Sequence, residues 1–208
     1  MVFRSMLGAA VALCVGAAAQ AQNIAEDFSA GAQGWTASNG GALSYQASGG
    51  NAGGFLQIAD SSSDDFLIVA PTAILGNWSS LLGGTLSFDA RNINGDSPDW
   101  SLFGELTLSG AAGSVSLDMV APNLPPADGQ WHHYSVQLTL ANFGAQLPAV
   151  LAQLNGLTIK GEYHNGVSEV LGFDNFSVSA VPEPSQALLL SLGLLGVAPL
   201  LRRRRKSI

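Results

Sequence analysis

Leu157-Thr158-Ile159-Lys160-Gly161-Glu162-Tyr163 sets Leu157, Ile159, Gly161 and Tyr163 on one parity and Thr158, Lys160 and Glu162 on the other. Successive side chains of a strand point to opposite faces, so a period of two marks a strand with one buried face. The same period recurs at Leu86, Phe88 and Ala90 against Ser87 and Asp89, and at Val115, Leu117 and Met119 against Ser116 and Asp118. It returns at Tyr134, Val136, Leu138 and Leu140 against Ser135, Gln137 and Thr139, and once more at Phe176 and Val178. Turn-forming clusters separate these runs: Ser38-Asn39-Gly40-Gly41, Gly49-Gly50-Asn51, residues 92–98 and 122–129, and Asn165-Gly166. Many short strands punctuated in this way predict an all-β fold, a two-sheet β-sandwich. One segment departs from it. Leu147, Val150, Leu151 and Leu154 fall at helical spacing, with Pro148 where a first turn tolerates it and Gly156 where a C-terminal cap is expected. The spacing predicts one short helix over 148–154, covering an end or edge of the sandwich; an apolar strand is the alternative, disfavoured by Pro148.

The two ends of the chain carry other patterns. At the front, Arg4 provides a basic start, residues 6–18 an apolar run, and Ala19-Gln20-Ala21 the small residues that signal peptidase reads, so residues 1–21 are expected to be a signal peptide whose removal leaves Gln22 first. Cys14 lies inside that segment, and Leu13 before it is not the small residue of a lipoprotein signal. The mature chain therefore has no cysteine and depends on a hydrophobic core. At the back, Val181-Pro182-Glu183-Pro184 is an extended, helix-resistant link. The uncharged run 187–201 that follows would cover about 22 Å as a helix, and with Ser185 and Gln186 it reaches a minimal membrane span. Arg202-Arg203-Arg204-Arg205-Lys206 would stay cytoplasmic.

Between these ends, residues 22–181 have the size of one domain. The whole-chain net charge is −7, but only Arg91 and Lys160 of the eight basic residues lie in the body, against fourteen of the fifteen acids, which gives the body −12. Nucleic acid and anionic lipid are poor partners for such a surface, because both are held through Lys and Arg at phosphates.

The order Pro182-Glu183-Pro184, short apolar span and basic terminus over residues 182–208 resembles the PEP-CTERM sorting signal of Gram-negative bacteria. That resemblance implies recognition and removal of the tail by an exosortase in the inner membrane, in a host that makes an exopolysaccharide or biofilm matrix. The body has its own likeness. Asp27-Phe28, Gly34-Trp35, Gly50-Asn51-Ala52-Gly53-Gly54-Phe55-Leu56, Asp60, Ala70-Pro71, Leu75-Gly76-Asn77-Trp78 and Gly83-Gly84-Thr85-Leu86-Ser87-Phe88-Asp89 follow, in order, the pattern of the laminin B domain, or laminin IV type A. Trp131, Val150-Leu151, Leu157 to Glu162 and Gly172-Phe173-Asp174-Asn175-Phe176 continue it. Laminin B domains are similar to the galactose-binding-like jelly rolls that include many carbohydrate-binding modules. The resemblance implies that fold, a secreted habit and adhesive or matrix contexts, and no catalytic residues.

Related jelly rolls often hold a structural calcium where first and last strands meet. Asp174 shares parity with Phe176 and Val178, so an inward carboxylate is expected there, and a buried carboxylate needs a partner. Asp174 with Asp27 or Glu26, Asp60 and backbone oxygens of the 50–54 turn is the expected Ca²⁺ site; the alternative is that Asp174 accepts backbone N–H bonds in a turn. Residues 92–100 carry oxygen side chains at short spacing but lack a closing Glu and contain Pro98, so they read as a solvated loop. Trp100 at its end and Trp131 are the candidate sugar-stacking residues, whereas Trp35 and Trp78 read as core. His132 and His133 would point to opposite faces and share no metal, and His164 reads as a surface residue beside the Asn165-Gly166 turn. No Gly-x-Ser-x-Gly, His-Glu-x-x-His or phosphate loop occurs. The expected function is that of an exported, non-catalytic surface or matrix protein binding exopolysaccharide. The alternatives are a purely structural matrix protein and a glycan-modifying enzyme acting through a pair of acids.

Overall fold

The computed structural model describes residues 23–100, 102–119 and 124–181, all within one compact unit, Ala21–Glu183. The signal-peptide reading with Ala19 and Ala21, the Pro182-Glu183-Pro184 motif and the apolar tail lie outside the described residues.

The strands are β1 (Asn23–Glu26), β2 (Thr36–Ser38), β3 (Ala42–Gln46), β4 (Phe55–Ala59), β5 (Leu67–Val69), β6 (Thr85–Asn92), β7 (Glu105–Gly110), β8 (Gly113–Asp118), β9 (His132–Gln137), β10 (Leu154–Lys160) and β11 (Val170–Ser179). The helices are α1 (Leu140–Phe143) and α2 (Leu147–Ala152). One sheet runs β3-β4-β11-β6-β9, with β1 added against β11; the other runs β2-β5-β10-β7-β8. All pairings are antiparallel. From β6 onward the chain passes back and forth between the sheets, so neighbouring strands are rarely consecutive and the sandwich is closed by long-range pairing.

Inward side chains of the six-stranded sheet include Leu56, Ile58, Leu86, Phe88, Phe173 and Val178; those of the five-stranded sheet include Ile68, Leu106, Leu108, Leu157 and Ile159, and all are buried. Trp35 and Trp78 are core, as expected. Trp35 anchors an aromatic cluster, its ring centroid 5.4 Å from that of Phe173 and 4.8 Å from that of Phe176. Such tilted and edge-on pairs add about 0.5–1.5 kcal/mol each beyond their buried area.

Several sequence expectations change here. The Tyr134 to Leu140 alternation stops at Gln137; Leu138 is still buried, but Leu140 opens α1 and is exposed. The predicted helix is present as α2, with Leu147, Val150 and Leu151 buried, so the described chain has two short α-helices rather than one, besides 3₁₀ turns at Thr72–Ile74 and Ser79–Leu81. Leu154 belongs to β10 instead, because its backbone exchanges two hydrogen bonds with Gly76, of 2.9 and 2.8 Å. Gly156 is therefore not a cap but lies in β10 beside a bulge. On β10 and just beyond it, Leu157, Ile159, Gly161 and Tyr163 point inward as expected, but Lys160 and Glu162 are buried too. Gly161 is required where it stands: a Cβ there would come 2.1 Å from the Phe66 ring.

The largest correction concerns Asp174. Between Asp174 and Ser177, β11 uses one more residue than its partner β6 uses between Asp89 and Ser87. Asn175 sits at φ 48°, the left-handed conformation Asn tolerates. The extra residue is a β-bulge that flips the alternation. Leu171 and Phe173 before it and Phe176 and Val178 after it all face the core, and Asp174 faces outward beside Asp89.

Candidate functional site

The outer face of the six-stranded sheet is polar because the alternation places it so. β6 contributes Thr85, Ser87, Asp89 and Arg91, paired across β9 with Gln137, Ser135 and His133, and across β11 with Ser179, Ser177, Asp174 and Gly172. Two open depressions lie along these rows. One of about 480 Å³ is bordered by Asn23, Thr85, Gln137 and Ser179. The other, of about 290 Å³, is bordered by Asp27, Ser87, Asp89, His133 and Asn175.

Asp89 organises the centre of this face. Its Oδ2 accepts from Asn51 Nδ2 and Asn175 Nδ2, both at 2.8 Å, and its Oδ1 lies 2.7 Å from Nδ1 of the exposed His133. Asp174 beside it is buried under the 49–54 turn, where Asn51 N donates to Oδ2 and Asn175 N to Oδ1, each at 2.7 Å. Burial pushes the Asp174 carboxyl up, the amides of Asn175, Asn51 and Ala52 pull it back, and Asp89 adds a further push upward. Gly50 allows this approach: a Cβ on it would stand 2.4 Å from Gly54 O and 2.7 Å from Asp174 Oδ2.

Trp131, just before β9, lies on this face with His133, Ser135 and Gln137, whose parity it shares. Its ring closes over Gly172, where a Cβ would be 2.8 Å from the indole, and meets Phe55 edge-on at 5.4 Å. Its Nε1 donates to Gly49 O at 3.3 Å. The bare backbone of Gly172 is the seat for this indole, a relation between positions 131 and 172 that no local pattern announces.

The three acids grouped for calcium are not brought together. Asp27 is exposed and closes a turn on itself, Oδ1 accepting from Ser29 N and Ser29 Oγ, which hold its carboxyl below the usual range. Asp174 accepts amide hydrogens from Asn51, Asn175 and Ala52, the turn bonding that was the alternative to calcium. Asp60 belongs to a different group, with Glu162 and Glu169, whose carboxylate oxygens lie within 4.8 Å of one another. Burial, then the neighbouring Glu169, pushes Glu162 up to about 8.

Trp100 is 39% exposed, and its indole has different partners from that of Trp131. Its Nε1 donates to Asp65 Oδ1 at 2.8 Å, Asp65 pairs with the buried Lys160 ammonium at 2.6 Å, and that ammonium stands 5.8 Å from the indole centroid. Trp100, Asp65 and Glu162 border a cavity of about 140 Å³. The preceding loop is structured rather than merely solvated. Asn94 Nδ2 donates to Ser168 O, Ser168 Oγ donates to Asp96 Oδ2, and the buried Tyr163 hydroxyl lies 3.1 Å from Asn92 Oδ1 and 3.0 Å from Asn94 Oδ1. His132 and His133 diverge as expected, to Asp128 and Asp89, and His164 rests on Ser97 O.

No protein-family model and no curated protein matches the chain. Solved structures do. The CBM22-1 xylan-binding domain of Paenibacillus barcinonensis Xyn10C is 16% identical, with a TM-score of 0.51 over 79% of this chain and 98% of that one. An exo-beta-agarase, also 16% identical, has a TM-score of 0.50 over 75% of this chain but only 24% of the agarase. The L4b domain of human laminin alpha-2 is 14% identical, with a TM-score of 0.47 over 61% of this chain and 80% of that one. The described domain is an all-β two-sheet sandwich of the kind found in carbohydrate-binding modules.

Proposed function

We propose that this protein is an exported, non-catalytic glycan-binding module and that the polar outer face of its six-stranded sheet is the binding surface. The observation that carries this reading is the arrangement on that face: rows of hydroxyl, carboxamide, imidazole and guanidinium groups, with the Trp131 indole laid over Gly172 at one end. Sugars are held by just this mixture of hydrogen-bonding groups and an aromatic surface for their C–H faces. The fold shared with a xylan-binding module agrees with it. A neutral glycan also tolerates a body charge of −12, which a phosphate-rich partner does not. Asp65 and Glu162 border a cavity of about 140 Å³, smaller than the roughly 300–1,000 Å³ of ordinary ligand sites, so that pair is poorly placed to cleave a glycan.

The signal peptide and the PEP-CTERM-like tail give this module its route. Signal peptidase removes the first segment, the tail holds the precursor in the inner membrane, and an exosortase releases it to the cell surface or matrix. The glycan at hand there is the host's own exopolysaccharide. The test is co-sedimentation of the purified chain with that polysaccharide. Saturable binding, weakened at least tenfold in Trp131→Ala and little changed in Trp100→Ala, is the expected result. Absence of binding would leave a purely structural matrix protein in its place, and loss only in Trp100→Ala would move the surface to the other tryptophan.

A further inference from the structure

Asp60 follows β4, Glu162 follows β10 and Glu169 precedes β11, so three acids from both sheets converge at one end of the sandwich. All three are buried, at 7%, 3% and 0% exposure. One oxygen of each is pinned by a loop amide: Ser62 N donates to Asp60 Oδ1 at 3.2 Å, Phe66 N to Glu162 Oε2 at 3.3 Å, and His164 N to Glu169 Oε1 at 3.4 Å. Asp60 Oδ2 and Glu169 Oε2 are fully buried and meet no donor. Burying carboxylates with no counter-charge is costly, and the basic groups nearby are engaged elsewhere. Lys160 pairs with Asp65, and His164 Nδ1 rests on Ser97 O at 2.8 Å and Asp99 at 3.1 Å.

We propose that Asp60, Glu162 and Glu169 form a binding site for a hard divalent cation, Ca²⁺, which ties the two sheets together. Two oxygens that bind one Ca²⁺ at about 2.4 Å each are at most about 4.8 Å apart, and one oxygen of each carboxylate lies within 4.8 Å of the others. Three convergent carboxylates suit Ca²⁺ better than Mg²⁺, which keeps most of its water and takes one or two. The cavity beside Trp100, of about 140 Å³, is bordered by Glu162 and not by Asp60 or Glu169, so the ion would enter past Glu162. This site is distinct from an Asp27–Asp174 grouping and does not depend on glycan binding.

The test uses the full-length protein, stripped with chelator and titrated with CaCl₂ at pH 8 by calorimetry and thermal melting. Saturable one-site binding is expected, with the Tm raised by about 5–10 °C at 100-fold excess over Kd. Glu169→Gln and Asp60→Asn lose both responses, while Asp174→Asn keeps them. Each loss is read on a folded protein, because metal-free Glu169→Gln, relieved of one repelling charge, melts at or above metal-free wild type. An unchanged Tm at about 10 mM Ca²⁺, beyond the weakest extracellular sites, overturns the proposal and leaves a carboxyl cluster sharing protons. A response lost in Asp174→Asn but kept in Glu169→Gln overturns it too, and equal stabilisation by Mg²⁺ overturns the choice of ion.

Discussion

Replacing Asp89 by Ala removes the acceptor on which the centre of the polar face converges. Three contacts end there: Asn51 Nδ2 and Asn175 Nδ2 at 2.8 Å and His133 Nδ1 at 2.7 Å. The His133 side chain is 63% exposed, so water replaces its lost partner at little cost. The two carboxamides lie in part-buried surroundings, and a hydrogen bond to a charged acceptor contributes about 1.5–3 kcal/mol. Their loss therefore costs about 3 kcal/mol or more, of which relief of Asp174 from the Asp89 charge returns a part. The working figure is a loss of about 2–3 kcal/mol, or a Tm lower by about 4–12 °C for a domain of this size. Equilibrium urea unfolding measures it as a midpoint about 1 M lower at an unchanged slope. His133→Ala, the control, stays within about 0.5 kcal/mol of wild type. An Asp89→Ala protein equally close to wild type would show that the carboxylate does not organise this face.

Gly161→Ala sets a Cβ 2.1 Å from a ring atom of the fully buried Phe66 and is expected to cost about 1–3 kcal/mol, read as a lower thermal midpoint. Burial pushes the Tyr134 phenol up to about 12, and burial likewise raises Tyr163 well above its ordinary value. Both therefore bind protons more tightly folded than unfolded. Their contribution is constant below about pH 10 and stability falls as pH rises above it, so tyrosinate absorbance should appear for these two only together with loss of near-ultraviolet circular dichroism.

Much of the fold was legible because half-buried strands write a period of two into the chain. β6, β8, β9, β10 and the end of β11 were read from that alone. β2 and β5, three residues each, are too short to show a period, and β4 reads as a run rather than an alternation because Phe55 is covered by Trp131 on the outer side while Leu56 is covered by the core. Parity holds only along an unbroken ladder, and the bulge at Asn175 breaks it beside Asp174, the candidate metal ligand. The acidic cluster is hidden for a different reason. Asp60 stands about a hundred residues before Glu162 and Glu169, the three belong to different strand ends, and the period of two sets Glu162 with Lys160 on the unburied parity. Only the pairing of β4 with β11, and the folding of residues 60–66 over the end of β10, brings them together. Trp100 and Trp131 were found as candidate residues from their type and position; the cross-strand glycine that seats Trp131 was not.

β1 borders a single neighbour, β11, along Asn23–Glu26 against Phe176–Ser179. β4 occupies the same side of β11 farther along, at Val170–Phe173. Among the described residues, the first strand is thus the shortest-held member of its sheet and the only cover for half of one margin of the central strand. Peeling it away would leave four residues of an aromatic-bearing interior strand with bare amides and carbonyls, a template on which another chain's extended segment could zip. An intact first strand is therefore what keeps that margin of β11 closed.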